Sequence, residues 1–254
     1  MSTFTLITGV SRGLGRGVAR SLAAQGRSLI LTARSGAAAA SLATELGPTH
    51  RAFELDVTNT GQRTALGHVL QGTQLSCVIH NAAIYERSAS PEAAARTMET
   101  NVLSPIRLHA VLLPLLTEDA RLVLVSSGMG ALHGYSQAIV ERLQNTTTTA
   151  QVEQLVRDYL TATSSAKDAT GSADAAERAG FSRDPYSASK AFINALARAW
   201  AHELPSRSVI AVSPGWVQTD MGGPGAPRPA EEGVARIVEA TTAVQVRSGS
   251  YFEG

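Results

Sequence analysis

The chain has 254 residues, enough for one large α/β domain, and its 22 basic and 21 acidic side chains leave a net charge of +1 at pH 7. This balance gives no indication of binding to nucleic acid or to an anionic membrane surface, and no apolar run is long enough to span a bilayer. The single cysteine, Cys77, excludes an internal disulfide and a cysteine-built metal site, and we expect no metal. The first residues lack the basic region of a secretory signal, which predicts a cytoplasmic protein.

Short β-branched or leucine-rich runs alternate with longer helical patterns along the chain. Six strands are predicted, at Phe4–Thr8, Ser28–Ala33, Ala52–Leu55, Leu75–His80, Leu122–Ser126 and Val209–Ser213. Helices are predicted between them, at Leu14–Gln25, Ala37–Leu46, Gly61–Gln71, Ala93–Leu116, Ser187–Leu204 and Glu231–Ala243. This alternation predicts an α/β fold with a doubly wound parallel sheet, the Rossmann fold. No Pro/Gly-rich linker or repeat divides the chain, which indicates a single domain over residues 1–254.

A long insertion, approximately residues 131–185, separates the fifth predicted strand from Tyr186. Part of it follows a helical stripe, and Thr148 with Gln151 three positions on predicts a capping box at the start of that helix. The stretch Thr161–Gly180 is rich in Ala, Ser, Thr, Asp and Gly and is predicted to be a mobile loop. The insertion is either a substrate lid or surface elaboration, and the sequence leaves both open. The residues of the helical stripe are Val152, Leu155, Val156, Tyr159 and Leu160.

The first strand leads into a glycine-rich turn, Thr8-Gly9-Val10-Ser11-Arg12-Gly13-Leu14-Gly15, and then into a helix. Glycines in such a turn allow the backbone to approach a pyrophosphate, whose charge the N-terminus of the following helix accommodates. The spacing differs from the common G-x-G-x-x-G fingerprint of dinucleotide sites, although the strand–turn–helix context is the same.

Tyr186 and Lys190 are four residues apart on a predicted helix, so their side chains share one face. A phenol has a pKa of about 10, and a neighbouring ammonium group favours the phenolate. We therefore expect Lys190 to lower the pKa of Tyr186 and to make it a usable general acid or base.

The glycine turn and this pair resemble the short-chain dehydrogenase/reductase family. Other segments match the family in the expected order: Leu55-Asp56-Val57, His80-Asn81-Ala82-Ala83, Asn101, Ser126-Ser127-Gly128-Met129-Gly130 and Pro214-Gly215-Trp216-Val217-Gln218-Thr219. The resemblance implies that Tyr186 supplies a proton, that Ser127 steadies the carbonyl oxygen, and that Lys190 binds the nicotinamide ribose. It also implies that Asn101 holds a water that links Lys190 to solvent.

The resemblance further implies the residues that contact the cofactor. They are Gly9, Ser11, Arg12, Gly13, Leu14, Gly15, Arg34, Asp56, Val57, Asn81, Ala82, Ala83, Tyr186, Lys190, Pro214, Gly215, Val217 and Thr219. Two positions depart from the family pattern. Ala83 replaces a glycine and adds a methyl group where the backbone approaches the cofactor. His80 replaces an asparagine and is interpreted as a buried side chain with satisfied hydrogen bonds rather than as a catalytic base.

Within the family, the long insertion and the run from Pro214 to Met221 resemble the carbonyl reductase subgroup, whose members are typically NADPH-dependent and monomeric. In that subgroup the insertion covers a helix face that other members use to associate. The resemblance therefore implies a monomer.

The end of the second predicted strand favours NADP(H) over NAD(H). A site selecting NAD places an acidic residue there to bind the ribose 2′-OH, whereas this chain has Leu31-Thr32-Ala33-Arg34. Arg34 can hydrogen-bond a 2′-phosphate, and Arg12 could hold its other side. The alternative is that both arginines are only solvated.

Three functions remain open from the sequence. The first is NADPH-dependent reduction of a ketone, aldehyde or quinone, with a small-molecule carbonyl as partner. The second is a dedicated reductase of one metabolite, such as a pterin or a polyketide or alkaloid intermediate, and the third is a non-catalytic NADP-binding sensor. Candidate substrate contacts are Ser127, Met129 and Trp216, with Tyr135 and Tyr159 of the insertion as further wall residues, although such side chains are more often core. The sequence shows no positive cluster for a highly anionic substrate.

Overall fold

The structure is a computed structural model that describes residues 3–242 and 246–253. The strands are β1 (Phe4–Thr8), β2 (Ser28–Ala33), β3 (Arg51–Glu54), β4 (Leu75–His80), β5 (Leu116–Val125), β6 (Ser208–Val212) and β7 (Ser250–Phe252). The helices are α1 (Gly13–Ala24), α2 (Gly36–Leu46), α3 (Thr60–Val69), α4 (Pro91–Met98), α5 (Ser104–Leu112), α6 (Gln137–Gln144), α7 (Thr149–Ser164), α8 (Ala169–Arg178), α9 (Pro185–Glu203) and α10 (Ala230–Ala240).

All seven strands pair in parallel in the order β3-β2-β1-β4-β5-β6-β7. Apolar side chains of α1, α2 and α10 form a core on one face of the sheet, and those of α3, α4, α5, α7 and α9 form a larger core on the other. The predicted doubly wound α/β fold is therefore confirmed. The strand order reverses between β1 and β4, and ligands of such folds bind in the crevice at the carboxyl ends of those strands.

Most predicted boundaries lie within two residues of those observed, and larger differences occur at β5, β7 and α10 and at the long helix predicted around Asn101. β5 begins at Leu116 rather than Leu122, because its pairing with β4 shifts register over a polar stretch that conceals the strand pattern. β7 was not predicted, since it is a half-buried edge strand of only three residues. The last helix ends at Ala240, and the predicted end at Ala243 lies outside the described residues.

The single helix predicted over Ala93–Leu116 is divided. α4 and α5 are joined by a π-helical turn at Glu99–Leu103, and a 3₁₀ turn at Leu113–Leu115 follows α5. The π turn contains Asn101, so the interruption lies at a predicted site residue, where such turns are frequent.

The insertion contains three helices, α6, α7 and α8. The predicted capping box is confirmed, because Thr148 accepts from Gln151 N and the Gln151 side chain accepts from Thr148 N. The mobile loop predicted over Thr161–Gly180 is wrong. α7 continues to Ser164, and α8 begins at an Asp168 cap and buries one face against the core. None of the described helices combines the length and apolarity that crossing a bilayer requires.

Candidate active site

A cavity of about 2250 Å³ runs along the carboxyl edge of the sheet, from the end of β2 to the end of β6. Small-molecule pockets usually measure roughly 300–1,000 Å³, so this cavity has room for a dinucleotide and a substrate together. Every predicted cofactor residue lines it, as do Ser127, Met129 and Trp216 of the predicted substrate contacts, and among the predicted catalytic residues only Asn101 does not. The residues selected from sequence motifs therefore meet in one place.

The glycine turn between β1 and α1 forms one end of the cavity. Gly9 and Gly13 have φ of +75° and +55°, values that L side chains rarely adopt. A Cβ on Gly15 would lie 2.3 Å from the Gly9 carbonyl oxygen, so only glycine allows the turn to close this tightly. The turn leaves backbone N–H groups and the N-terminus of α1 facing the cavity, which is the arrangement that accommodates a pyrophosphate.

Asn81 fastens this turn to the end of β4. Its amide donates to the carbonyl oxygens of Thr8 (2.8 Å) and Gly9 (3.2 Å), while Thr8 Oγ1 accepts from the backbone N–H groups of Asn81 and Ala82. The Asn81 side chain therefore holds the turn in shape. The sequence predicted it as a cofactor contact, and its structural partners were not foreseen.

The predicted NADP-selecting end of the cavity carries a mixed charge. Arg34 lies exposed directly after β2, and no ion pair joins it to another described residue. Partial burial acts to raise the pKa of Asp56, but hydrogen bonds from Thr58 and the charges of Arg34 and Arg63 bring that pKa below its usual value. Asp56 thus stays ionised near Arg34.

Arg12 has a partner that the sequence did not predict. Its Nη1 lies 2.8 Å from Asp220 Oδ2, and both side chains are largely exposed. This contact joins the glycine turn to the loop that follows β6 across the opening of the cavity.

The N-terminus of α9 positions Tyr186. Asp184 caps the helix by accepting from Tyr186 N (3.3 Å), Ser187 N (2.9 Å) and Ser187 Oγ (2.7 Å), and Pro185 occupies the first turn, where no N–H partner is needed. Tyr186 and Lys190 share the predicted face, with Lys190 Nζ 5.3 Å from the centroid of the Tyr186 ring.

The prediction of a lowered pKa for Tyr186 is wrong for this structure. Burial raises the pKa of Tyr186 to about 12; hydrogen bonding by Ser127 opposes the rise, whereas Asp184 and Tyr85 add to it. Burial also lowers the pKa of Lys190 to about 8. The Lys190 ammonium donates to the Val125 carbonyl oxygen at 2.8 Å, so its contact is with the end of β5 rather than with the phenol oxygen.

Ser127 follows β5 and begins a 3₁₀ turn, Gly128–Gly130, in which its Oγ accepts from Met129 N at 3.2 Å. A Cβ on Gly130 would lie 2.8 Å from the Lys190 carbonyl carbon. The glycine therefore allows the turn to pack directly on α9, and this packing brings Ser127 beside Tyr186.

Asn101 joins three parts of the site. Its amide donates to the Ile84 carbonyl oxygen and to Ser189 Oγ, each at 3.0 Å, and its Oδ1 accepts from Ile84 N at 2.9 Å. Ser189 Oγ in turn donates to the Tyr186 carbonyl oxygen at 2.7 Å. Both N–H bonds of the amide are thus used within the protein, and the Asn101 side chain positions α9. Ser189 and Ile84 were missed from the sequence, where no motif marks them.

The wall around Tyr186 is apolar. Six large apolar side chains are exposed among the described residues, and four of them line this cavity: Tyr85, Met129, Trp216 and Met221. The rings of Tyr85 and Tyr186 are 4.9 Å apart, and the Met221 sulfur is 3.9 Å from Tyr186 Oη. Tyr85 and Met221 were not predicted as site residues. Exposed apolar residues concentrated in one concavity indicate a binding surface.

Tyr135 and Tyr159 do not line the cavity, so their prediction as wall residues is wrong. The Tyr159 ring is fully buried and packs edge-on against Phe181 and Phe192, and Tyr135 packs against the same core. These aromatic side chains fasten the insertion to α9.

His80 is buried against the ring of Trp200, which also packs against His109. Burial, assisted by the charge of His109, lowers the pKa of His80 to about 3, so it is neutral at physiological pH. Its predicted burial is confirmed, but its Nε2 has no hydrogen-bond partner among the described residues, so the prediction that its polar atoms are satisfied is wrong. The other departure, Ala83, lines the cavity next to Asn81.

The loop after β6 closes the other side of the cavity. Gly215 has φ of +79°, Trp216 Nε1 donates to the Gly222 carbonyl oxygen at 2.9 Å, and Thr219 Oγ1 accepts from Gly222 N at 3.0 Å. A Cβ on Gly13 would lie 3.8 Å from the Thr219 methyl group, so this loop faces the glycine turn.

The family model described as short chain dehydrogenase matches residues 3–140 and 142–228. The chain belongs to this family. Among curated relatives, carbonyl reductase (NADPH) 1 of Sus scrofa is 30% identical over 246 residues, which cover 90% of this chain and 83% of the relative. Carbonyl reductase (NADPH) 3 of Homo sapiens is 30% identical over 251 residues, covering 91% and 88%.

Solved structures of other short-chain dehydrogenases and reductases share the fold. Salutaridine reductase from Papaver somniferum superposes with a TM-score of 0.86 at 22% identity, covering 98% of this chain and 99% of the other. A short-chain dehydrogenase/reductase from Burkholderia multivorans with bound NADP superposes with a TM-score of 0.73 at 24% identity, covering 100% and 96%.

Proposed function

We propose that this short-chain dehydrogenase reduces the carbonyl group of a ketone, aldehyde or quinone to the alcohol, with NADPH as hydride donor and Tyr186 as proton donor. The observation that carries the proposal is the convergence of Tyr186, Ser127 and Lys190 on an apolar wall of a cavity that also contains the glycine turn. The naming of two curated relatives as NADPH carbonyl reductases supports the same reaction.

NADP(H) fits the residues of the cavity. The positive-φ glycines and the α1 N-terminus suit a pyrophosphate, Arg34 suits a 2′-phosphate, and the loop from Pro214 to Thr219 faces them across the opening. When bound, the reduced cofactor supplies the hydride. The fold positions the cofactor, and the other residues of the site act on the carbonyl oxygen of the substrate.

Negative charge develops on the carbonyl oxygen during reduction, and the protein must offer hydrogen-bond donors and then a proton. The Ser127 hydroxyl donates to this oxygen, and the Tyr186 hydroxyl transfers its proton to it. A pKa of about 12 keeps Tyr186 protonated at neutral pH, which suits a proton donor in the reductive direction. The Lys190 ammonium on the same helix face stabilises the phenolate that remains.

The fixed network around α9 supports this step. Asp184, Ser189 and Asn101 hold the backbone on which Tyr186 and Lys190 lie, so the proton donor is placed before the substrate binds. Burial of Tyr186 and its packing against Tyr85 keep water from its ring.

An NADPH-oxidation assay over aldehydes, ketones and quinones tests the proposal, with Tyr186→Phe as the matched variant. We expect turnover of several apolar carbonyls by the unmodified protein and a loss of roughly 10²- to 10⁴-fold in Tyr186→Phe, the usual contribution of general acid catalysis. NADPH binding and thermal stability should stay close to those of the unmodified protein.

The outcomes separate the alternatives. One dominant substrate would indicate a dedicated metabolite reductase, and silence over the whole panel despite tight NADPH binding would indicate a sensor. Full activity of Tyr186→Phe would contradict the assignment of the proton donor.

A further inference from the structure

Two arginines converge at Gly215, the glycine of the loop that follows β6. A Cβ on Gly215 would lie 3.0 Å from Arg236 Nη1 and 3.1 Å from Arg228 Nη1, so both guanidinium groups surround one point. Both side chains also line the cavity that contains Tyr186. Two positively charged guanidinium groups that approach the same point repel each other, and an anion bound between them would offset this repulsion.

The neighbouring carboxylates leave this charge largely uncompensated. Glu232 approaches Arg228 only at Nε, at 3.9 Å, and both side chains are about half exposed. Within the described part of the chain, Arg236 forms no ion pair or hydrogen bond. Glu253 lines the same cavity but lies beyond ion-pairing distance of either arginine. The Nη groups therefore remain available as a forked donor set, the geometry that binds a carboxylate.

The sheet places Gly215, where the two arginines meet, beside the reacting groups and away from the 2′-phosphate end of the cavity. Val125 at the end of β5 pairs with Val212 at the end of β6. Ser127 therefore lies two residues beyond one strand, and Gly215 lies three residues beyond its neighbour. Arg34 follows β2, and four strand spacings, about 19 Å, separate β2 from β6. The loop that contains Gly215 does reach the glycine turn, because Thr219 faces Gly13 and Asp220 pairs with Arg12. The convergent arginines are thus not placed to bind the 2′-phosphate, and cofactor binding by a variant that lacks them distinguishes a role at the substrate from one at the pyrophosphate.

We propose that Arg228 and Arg236 form a subsite for a carboxylate carried by the carbonyl substrate, so that the protein prefers carbonyl compounds with an acidic substituent. This inference rests on the proposed reduction, because it assigns a substrate class to the same cavity. The apolar wall of Trp216 and Met221 holds the body of the substrate, and the arginines fix its anionic end.

The probes are 3- and 4-carboxybenzaldehyde with their methyl esters, which carry the same aldehyde with and without the charge. We expect the acids to have a higher kcat/KM than the esters. In the double variant Arg228→Gln/Arg236→Gln the acid-to-ester ratio should fall by about tenfold or more, the usual value of a charge-assisted hydrogen bond, while ester turnover stays the same. Arg178→Gln removes the same charge from an exposed position at the end of α8, outside the cavity, and should leave the ratio unchanged.

An unchanged acid-to-ester ratio in the double variant would overturn the subsite. A parallel loss of NADPH and NADH affinity would also overturn it, because it would assign Arg228 and Arg236 to cofactor binding. If neither ester nor acid is reduced, the proposed function fails, and calorimetry still decides the subsite. Benzoate should then bind the NADPH complex of the unmodified protein and not that of the double variant, and equal binding to both would refute the inference.

Discussion

At the scale of single residues, burial governs the chemistry of the proposed proton donor. Tyr186 and Lys190 are both almost fully enclosed, which raises the pKa of the phenol to about 12 and lowers that of the ammonium to about 8. The phenol therefore keeps its proton over the whole range in which Lys190 titrates. Changes of rate near pH 8 consequently report Lys190 rather than Tyr186.

We expect kcat/KM for carbonyl reduction to be constant below about pH 8 and to fall above it. Lys190 is charged below its lowered pKa and neutral above it, and a neutral amine no longer stabilises the phenolate. A pH profile from 6 to 10 measures the effect. Lys190→Met should be less active at every pH and should lack the step near pH 8; a step that persists in this variant would assign the titration to another group.

Arg34 gives the second prediction at this scale. Arg34→Asp removes a donor for the 2′-phosphate and introduces an acid at the position that NAD-selecting sites use. We expect roughly ten- to a hundredfold weaker NADPH binding with little change for NADH, as for the loss of a charge-assisted contact. Fluorescence titration with both cofactors measures the selectivity, and equal losses for the two would remove Arg34 from the phosphate site.

At the scale of elements, the N-terminus of α9 shows how local sequence positions the site. Asp184 satisfies two backbone N–H groups of the helix, one of them that of Tyr186 itself. The π turn at Asn101 then contributes the amide that reaches Ser189 one turn further along α9. Cap and π turn together fix the direction of the Tyr186 side chain.

Asp184→Ala should lower the free energy of unfolding by about 1 kcal/mol, the usual value of an N-cap, and should also lower kcat. Asp184→Asn keeps an accepting oxygen and should retain most of both properties. Urea unfolding and steady-state kinetics measure the two effects. Equal stability and activity of Asp184→Ala and the unmodified protein would show that the cap does not position Tyr186.

Element boundaries were predicted well where the apolar residues followed a clear helical or strand period. They were predicted poorly where tertiary packing, rather than this period, determines the local structure. The stretch after Thr161 resembled a loop because alanine, serine and glycine carry little apolar pattern. It forms α8 because Asp168 caps it and small side chains such as Ala173 and Ala176 fit closely against the core. The long helix pattern around Asn101 gave no sign of its π turn or of the hydrogen bonds that the Asn101 side chain makes with Ile84, which lies outside that helix.

At the scale of the whole molecule, the insertion covers helices of the main fold. α7 packs against α4 and α9, and the Tyr159 ring lies edge-on to Phe192 of α9. A second copy of the chain would have to displace these contacts to reach that part of α9. The structured insertion therefore supports the proposal of a monomer.

Multi-angle light scattering at micromolar concentration should give the mass of one chain, 26.5 kDa. Tyr159→Ala opens a large cavity between the insertion and α9 and should lower the free energy of unfolding by about 3 kcal/mol or more. A stable tetramer of the unmodified protein would contradict the proposed covering of α9.

The sequence by itself determined the fold class and most of the residues of the site, because each motif is a contiguous segment that follows a recognisable strand. Parallel strands bring such segments to one edge, so the glycine turn, Ser127 and Tyr186 with Lys190 meet as expected. Only the tertiary structure decided which side chains from distant segments touch them and how deeply they are buried. Burial reversed the expected direction of the Tyr186 pKa shift. Arg228 and Arg236 meet at the turn around Gly215, a contact that their sequence positions do not reveal. Charge compensation and desolvation depend on distances in space, which a linear pattern does not contain.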